Sequence, residues 1–194
     1  MAQTIGSTSC EALIIGGSAG SLDVLLEIFP ALRKDIGFPI VLVVHRKPSN
    51  ESLLTDLLKS RTTLTVGEAE EKEMLTPGRV FIAPADYHML VEEDRSISLD
   101  YSEKINYSRP SIDVTFQSAA EVFKEKLVCI LLSGSNADGV EGLKCVNSFG
   151  GKAVIQNPST AIMPYMPQQA ELHVKPHVIL DSHDMADYIN KLND

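Results

Sequence analysis

The chain has 194 residues, of which 44% are hydrophobic and 22% are charged, and its formal net charge is −9. This length and composition are typical of a globular domain with a continuous core. The negative charge argues against sequence-independent binding to nucleic acid, which requires a basic surface. No apolar run approaches the roughly 20 residues of a membrane span, and the first ten residues lack the basic start and apolar centre of a signal peptide. We therefore expect a cytoplasmic protein that does not insert into membranes.

Composition also predicts how the chain is divided. Residues 1–10 are polar, and we expect a flexible N-terminus there. Residues 11–194 contain no internal repeat and no low-complexity linker, so we predict a single domain over this range. Cys129 and Cys145 lie in apolar patterns without a C-x-x-C pair, and we interpret them as small core residues.

The first apolar run, residues 12–15, ends in Gly16 and Gly17, and leucines at helical spacing follow Gly20. This pattern predicts a strand buried on both faces, a tight turn and an amphipathic helix. Ser18 lies on the turn, where a developing negative charge would meet the free N–H groups of the helix start. The turn is typical of a nucleophile, of phosphate binding or of a simple connection. Neither nucleotide fingerprint, G-x-G-x-x-G or Gly-Lys-Ser/Thr, is present, but the turn alone does not decide between the other two.

Later segments alternate between buried strands and amphipathic helices. Strands are predicted at residues 39–44, 64–66, 80–83, 127–132, 152–155 and 178–180. Helices are predicted at residues 50–60, 113–124 and 166–172, followed by a C-terminal helix capped by Ser182. Alternating runs at residues 88–91 and 96–101 predict an antiparallel hairpin. We therefore predict an α/β fold with a doubly wound, mostly parallel sheet, helices on both faces and a small antiparallel hairpin.

Three of the predicted strands are followed by residues with useful chemistry, namely Ser18, His45 and Asp138. Because parallel strands direct their carboxyl ends to one edge of the sheet, we expect these side chains to meet there. A serine, an imidazole and a carboxylate are the components of a nucleophilic triad, in which His45 acts as the base and Asp138 orients it. Each residue also has a structural interpretation, as a helix cap or as the polar end of a strand. Their joint position favours the triad.

The remaining histidines predict no metal site. His173 and His177 have the spacing of a helical metal pair, but Pro176 interrupts the helix between them. His88 follows a strand end, where it either lines a cleft or supports the structure. We expect neither a metal nor a cofactor.

A series of short motifs runs along the chain in a fixed order. These are Ile15–Gly20, Val44-His45, Pro77–Pro84 with His88, Arg109–Asp113, Leu132–Gly134 with Asp138-Gly139, and Met166-Pro167 with Ala170. The series resembles the catalytic domain of the chemotaxis protein-glutamate methylesterase (CheB-type) family. The resemblance covers about residues 11–180, and the order of several motifs makes it specific.

The resemblance implies hydrolysis of a glutamyl methyl ester on a chemoreceptor signalling helix, with release of methanol. It also implies deamidation of particular receptor glutamines as a second reaction. It assigns Ser18 as the nucleophile, His45 as the base and Asp138 as its partner. The implied oxyanion donors are backbone N–H groups near the nucleophile or in a later loop, for which the candidates are Ala19, Gly20, Gly134 and Ser135.

The resemblance further implies partners and a form of regulation. The expected macromolecular substrate is a methylated chemoreceptor or another signalling protein. In this sequence ten residues precede the region that the resemblance covers, fewer than the family's usual phosphoacceptor domain would need. We therefore expect no such domain in cis and name a separate phosphoacceptor protein as a candidate regulator.

Two basic residues follow the predicted base. Arg46 and Lys47 stand directly after His45 in a chain of net charge −9. We predict that they flank the mouth of the cleft and form a positive patch that attracts an acidic receptor helix. The alternative is that they are ordinary solvated charges.

Two other classes of function are kept as alternatives to the esterase. The first is a non-catalytic docking module of the same fold, which would not need the Ser18 hydroxyl. The second is a nucleotide-binding α/β protein, which a thermal shift with nucleotides would reveal.

Overall fold

The computed structural model describes residues 9–46 and 51–193 of the chain. Its strands are β1 (Ala12–Gly17), β2 (Ile40–Val44), β3 (Thr65–Glu68), β4 (Arg79–Ile82), β5 (His88–Val91), β6 (Ile97–Asp100), β7 (Leu127–Leu131), β8 (Lys152–Gln156) and β9 (Val178–Leu180). Its α-helices are α1 (Ser21–Ile28), α2 (Glu51–Lys59), α3 (Ile112–Phe123), α4 (Val140–Ser148), α5 (Tyr165–His173) and α6 (Ser182–Lys191). Most of the predicted N-terminal segment, residues 1–8, lies outside the described residues.

Within the described residues, seven strands form one parallel sheet in the order β3-β4-β2-β1-β7-β8-β9. Strand β1 lies at the centre, paired with β2 on one side and with β7 on the other. Strands β5 and β6 form a separate antiparallel pair. The predicted doubly wound α/β fold with a small hairpin is therefore confirmed, and the carboxyl ends of the parallel strands share one edge.

The sheet divides the core into two layers because successive residues of a strand point to opposite faces. In β1, Ala12 and Ile14 belong to the layer that contains α3, α4 and α5. Leu13 and Ile15 belong to the layer that contains α1, α2 and α6. All four side chains are at most 1% exposed. A strand enclosed on both faces has a continuous apolar sequence, which is why the pattern predicted it.

The antiparallel hairpin fixes the position of α3. The Thr115 hydroxyl donates to the Met89 carbonyl at 2.8 Å, and the Val91 N–H donates to the Ser118 hydroxyl at 3.1 Å. These bonds join one face of the helix to β5. They hold the amino end of α3 at the edge of the sheet where the site is built.

Two helix ends test the predictions from turn and cap residues. Helix α1 ends at Ile28, and the 3₁₀ turn Phe29–Ala31 follows, because Pro30 within this turn does not favour a continued α-helix. The predicted cap at Ser182 is wrong, because the extended backbone of β9 continues through Asp181 and makes Asp181 the N-cap residue. In the described part of the chain, no helix combines the length and the apolar character needed to cross a membrane.

Candidate active site

The turn between β1 and α1 holds the backbone of Ser18 from two sides. The Ser18 N–H donates to the Ser133 carbonyl at 2.9 Å, and the Ser21 hydroxyl donates to the Ser18 carbonyl at 2.7 Å. Gly20 has a φ of +81°, a left-handed conformation that glycine adopts without steric cost. Among residues 9–46 and 51–193, no hydrogen-bond partner of the Ser18 hydroxyl is found. The hydroxyl is therefore available to a substrate.

His45 follows β2 and lies beside this turn, because its N–H donates to the Gly17 carbonyl at 3.1 Å. Its ring Nε2 is 2.8 Å from Oδ2 of Asp138. A carboxylate accepts the hydrogen bond, so the proton is assigned to Nε2 and Nδ1 is left as an acceptor. The Ser108 hydroxyl lies 3.3 Å from Nδ1 and can donate to it. The neutral ring therefore presents its basic nitrogen away from Asp138.

The Asp138 carboxylate is fully buried, and both of its oxygens accept hydrogen bonds. Oδ2 accepts from the Ile112 N–H at 2.7 Å as well as from His45. Oδ1 accepts from the Ser111 hydroxyl at 2.9 Å and from the Asp113 N–H at 3.1 Å. The two N–H groups belong to the first turn of α3, where the helix dipole favours a negative charge.

These contacts decide the charge state of Asp138. Burial by itself raises the pKa of this carboxyl group, because it disfavours the ionised form. The hydrogen bonds from His45 and from the Ile112 and Asp113 amides outweigh burial and hold the pKa below its ordinary value. An ionised carboxylate at this position can stabilise a protonated imidazole.

Two structural interpretations from the sequence are wrong. Gly20, not Ser18, is the N-cap residue of α1, and no side-chain cap bond is present there. Gly139, not Asp138, is the N-cap residue of α4. Asp138 serves the amino end of α3 instead, across the loop from its own helix. Local capping therefore does not account for either residue.

Ser18 and His45 line one cavity of about 310 Å³. Its walls are mostly apolar and include Leu22, Leu53 and Leu57. A second cavity, of about 270 Å³, also includes His45. Its other wall residues are Arg46, Lys104, Tyr107, Ser108 and Arg109. The imidazole thus belongs both to an apolar cleft that contains Ser18 and to a more polar recess.

The oxyanion candidates differ in whether their backbone N–H groups already donate to an acceptor in the protein. In the part of the chain that the structure describes, no acceptor is found for the N–H groups of Ala19 and Gly20. The Gly134 N–H donates to the Met163 carbonyl at 3.0 Å and is thus already used. Ser135 is exposed in the loop that follows β7. The arrangement favours the amides of the Ser18 turn over that of Gly134.

The predicted positive patch is not formed by Arg46. Its side chain is only 8% exposed and makes an ion pair with Glu68. The guanidinium also donates to the Ala83 carbonyl at 3.2 Å. Arg46 is therefore part of the wall of the cleft and does not present a free charge at its mouth. Its guanidinium is paired with Glu68 at the end of β3 and with the Ala83 carbonyl that follows β4. Lys47 lies outside the described residues.

Four polar residues around the histidine and the aspartate were not identified from the sequence as site residues. Ser111 and Asp113 contact Asp138, and both fall within the motif Arg109–Asp113, which offered a signal. Asn106 and Ser108 lie in the preceding loop, where no pattern distinguishes them from other polar loop residues. They are found only because the fold returns this loop to His45.

His88 has a structural role. It is 1% exposed, its Nδ1 accepts from the Ser111 N–H at 3.1 Å, and its Nε2 donates to the Glu103 carbonyl at 2.9 Å. The ring therefore holds the loop that leads into α3. It does not line either cavity around His45.

One cluster in the described residues has a geometry that a metal could use. The ligand atoms of Asp181, His183 and Asp184 lie within 4.8 Å of one another at the start of α6. None of them belongs to the site around His45.

A doubly wound sheet that gathers a serine, an imidazole and a buried carboxylate at one edge defines a class, α/β proteins whose site has the components of a serine hydrolase. Comparison with known proteins narrows that class. The family model described as CheB methylesterase matches residues 13–189, and the chain belongs to this family. The predicted single domain over residues 11–194 stays a prediction.

Two relatives illustrate the similarity. A protein from Leptospira interrogans (serovar copenhageni), provisionally named a protein-glutamate methylesterase/protein-glutamine glutaminase, is 42% identical over 160 residues. That match covers 82% of this chain and 83% of the relative. The protein-glutamate methylesterase/protein-glutamine glutaminase of Thermotoga maritima is 36% identical over 165 residues, which are 84% of this chain and 48% of the relative.

A solved structure matches along almost the whole chain. The crystal structure of the Thermotoga maritima CheB methylesterase catalytic domain has a TM-score of 0.90 and 33% sequence identity to this chain. The match covers 95% of this chain and 99% of that one. The predicted family, fold and enzyme class are thereby confirmed. The roles of individual residues stay predictions.

Proposed function

We propose that this chain hydrolyses glutamyl methyl esters on chemoreceptor signalling helices, with Ser18 as the nucleophile, His45 as the base and Asp138 as the group that orients it. One observation carries the assignment. The hydrogen bond from His45 Nε2 to Asp138 leaves Nδ1 as the basic atom of a ring that lines the same cavity as Ser18. The site belongs in the cytoplasm, as the sequence predicts, and a methylated chemoreceptor is the expected partner.

The reaction begins when Ser18 Oγ attacks the ester carbonyl while His45 Nδ1 takes the hydroxyl proton. Attack requires Ser18 Oγ to come within hydrogen-bond reach of Nδ1, and such bonds are often long before substrate binds. The Ser108 hydroxyl, 3.3 Å from Nδ1, must release this nitrogen as Ser18 engages it. Asp138 then stabilises the imidazolium.

The second half of the reaction returns the proton. The imidazolium donates it from Nδ1 to the departing methoxide, which leaves as methanol, and Ser18 remains as a glutamyl ester. Water then attacks this ester with His45 again as the base, and the products are the free glutamate carboxylate and the regenerated Ser18 hydroxyl.

Negative charge that develops on the carbonyl oxygen needs preorganised donors. The N–H groups of Ala19 and Gly20 lie on the turn beside the nucleophile and have no acceptor among the described residues. The first turn of α1 adds the positive end of the helix dipole. We therefore assign the oxyanion site to this turn, and exclude the Gly134 amide from it.

The lining of the cleft supports a neutral ester as the substrate. Leu22, Leu53 and Leu57 offer no partner for a charged group, and the guanidinium of Arg46 in the same wall is already paired with Glu68. A carboxylate is costly to bury without a partner. The methyl ester is uncharged, whereas the product is an anion. The cleft should therefore bind the ester in preference to the product and favour product release.

The same residues support glutamine deamidation as a second activity. The Thermotoga maritima relative is named for both reactions. An amide differs from the ester in its leaving group, and His45 Nδ1 can protonate departing ammonia as it protonates methanol. The second reaction therefore requires no further residue.

Two hydroxyls compete for the role of nucleophile, and their removal separates them. Ser18→Ala should lower kcat on methylated receptor by at least about a thousandfold, and adding His45→Ala should lower it little further. Ser108→Ala removes the hydroxyl nearest to Nδ1 and should leave most activity. A fluorophosphonate that esterifies activated serines should label the parent and Ser108→Ala but not Ser18→Ala, and peptide mass spectrometry should locate the label at residue 18.

Each contrary result has a definite meaning. Label that persists in Ser18→Ala and disappears in Ser108→Ala would assign the nucleophile to the loop before α3. No receptor demethylation by the parent, with receptor binding equal in the parent and in Ser18→Ala, would instead support the non-catalytic docking module.

A further inference from the structure

Two aspartates accept hydrogen bonds from the backbone N–H groups at the amino ends of α3 and α4, and each aspartate serves the other's helix. Asp138, in the loop before α4, accepts from the first amides of α3. Asp113, in the first turn of α3, accepts from the Gly139 N–H at 2.9 Å and from the Gly142 N–H at 2.6 Å. The second carboxylate thus holds the backbone that directly follows Asp138.

One amide side chain links the two carboxylates. Asn106 Nδ2 donates to Oδ2 of Asp113 at 3.1 Å and lies 3.5 Å from Oδ1 of Asp138. Because ionised carboxylates can only accept, Asn106 turns its NH₂ group toward both aspartates, and Asp113 is the nearer of its two acceptors. Asp113 therefore acts on Asp138 by two routes, through the backbone and through Asn106.

The buried carboxylate of Asp113 lowers the stability of the folded protein. Burial and the neighbouring charge of Asp138 raise the pKa of Asp113 to about 6, so its ionised form is unfavourable in the folded protein. A neutral asparagine oxygen could accept from the same two glycine amides without that penalty. A carboxylate that only capped α4 would thus be a poor choice at this position.

We propose that Asp113 is a positioning residue for the His45–Asp138 pair. It holds the loop that carries Asp138 and orients Asn106 toward the same carboxylate, so that Asp138 keeps one rotamer while His45 gains and loses a proton. The proposal rests on the proposed function, since it assumes that the pair serves as base and partner. It assigns Asp113 no contact with substrate.

Asp113→Asn separates positioning from simple capping. The new side chain keeps an oxygen for Gly139 and Gly142, but presents an NH₂ group where Asn106 formerly found an acceptor. Asn106 then loses its nearer acceptor, and its NH₂ group is no longer held in place beside Asp138. Asn106→Ala removes the same link while leaving the Asp113 carboxylate on its two amides.

We expect Asp113→Asn to lower kcat on methylated receptor by about 10–100-fold, the usual effect of losing a group that orients a ligating or catalytic side chain. KM should change less than twofold, because no contact with substrate is lost. The thermal midpoint at pH 7 should be equal to that of the parent or higher, since a buried charge has been removed. Asn106→Ala should lower kcat in the same direction by a smaller factor.

A spectroscopic measurement tests the pair directly. The His45 Nε2 proton, which is bonded to Asp138, should give a downfield ¹H resonance, identified in the parent by its loss in His45→Ala. In Asp113→Asn it should move upfield or broaden. Asp184→Asn is the matched control, because it removes an exposed carboxylate from the first turn of α6 and should change neither kcat nor this resonance.

The outcomes distinguish this proposal from the proposed function. A fall in kcat accompanied by an equal loss of folded protein, with the resonance unchanged, would show that Asp113 is only a cap and overturn the inference. Unchanged kcat and an unchanged resonance would overturn it as well. If the parent does not demethylate receptor, the proposed function fails, and the resonance alone still decides whether Asp113 positions the pair.

Discussion

The two sides of the site are built differently. On the carboxylate side, Asp138 is 0% exposed, and both oxygens accept bonds from side chains and from the amides of α3. On the serine side, Ser18 lies on a partly exposed turn, and within the described residues its hydroxyl has no bond. His45 joins the two, with one ring nitrogen fixed and the other facing the clefts.

The difference follows from what each side must do. A group that orients a base never meets the substrate, so it can be buried and its bonds can all be formed in advance. A nucleophile must be reached, and an acceptor placed permanently on its hydroxyl would compete with the base. Rigidity is thus concentrated on the carboxylate side, while access is kept on the serine side.

The largest expected effect comes from breaking the carboxylate side. Asp138→Asn places an NH₂ group among donors, because His45 Nε2–H and the Ile112 N–H both face Oδ2. The ring then favours its other tautomer, and kcat should fall by about ten-thousandfold, as in other triads that lose this charge.

Receptor demethylation kinetics measure this change. Asp187→Asn, which removes an exposed carboxylate from α6, is the control and should match the parent. A loss of less than tenfold in Asp138→Asn, with the fold retained, would mean that Asp138 does not orient the base.

A smaller effect is expected where the two sides touch. A Cβ on Gly16 in β1 would lie 2.4 Å from Cγ2 of Ile112, whose N–H holds Asp138. Gly16→Ala should therefore push α3 outward and lower the free energy of unfolding by about 1–3 kcal/mol, the usual cost of overpacking.

Urea unfolding and kcat should be measured on the same Gly16→Ala sample. Gly67→Ala provides the matched control, since its Cβ would meet only the end of the Arg79 side chain, at 3.4 Å. Unchanged stability and unchanged kcat in Gly16→Ala would show that the serine and carboxylate sides are not mechanically connected at this point.

The most gradual effect is a pH dependence within the carboxylate side. The pKa of Asp113 is raised from 3.8 to about 6, so between these values the folded protein binds more protons than the unfolded chain. This carboxyl group therefore contributes stability that is fully present below pH 3.8 and is lost as the pH rises through 6. The slope from one such group is at most about 1.4 kcal/mol per pH unit.

The measurement is the difference in unfolding free energy between Asp113→Asn and the parent from pH 4 to pH 7. The variant should gain relative stability as the pH rises. Asp138 contributes with the opposite sign and at lower pH, because its lowered pKa stabilises the fold above its ordinary value. A pH-independent difference would show that the pKa of Asp113 is not raised.

Arg46 lies at the cleft, as the sequence predicts, but its charge is paired with Glu68, for an instructive reason. Its position beside His45 predicts a charge at the mouth of the cleft, but adjacent residues at a strand end point in different directions. The guanidinium turns to Glu68 in β3 and to Ala83, which directly follows β4. Net charge and sequence proximity could not indicate these partners.

The sequence by itself determined the sheet, its layers and the family. The apolar run of β1 predicted a strand enclosed on both faces, because such a strand has no polar side. The glycines after it predicted the turn that carries Ser18, and parallel strands necessarily bring their carboxyl ends to one edge. The order of motifs was enough to indicate a methylesterase.

Only the tertiary structure decided which groups support the histidine and the aspartate. The first amides of every helix need an acceptor, but the chain does not state which side chain will supply it. As a local cap Asp138 would have served its own helix, but it accepts from the amides of α3 instead, while Asp113 serves α4. Asn106 and Ser108 reach the site because a loop folds back over it. Such contacts join residues tens of positions apart. Local sequence patterns do not indicate them, because those patterns reflect only neighbouring residues.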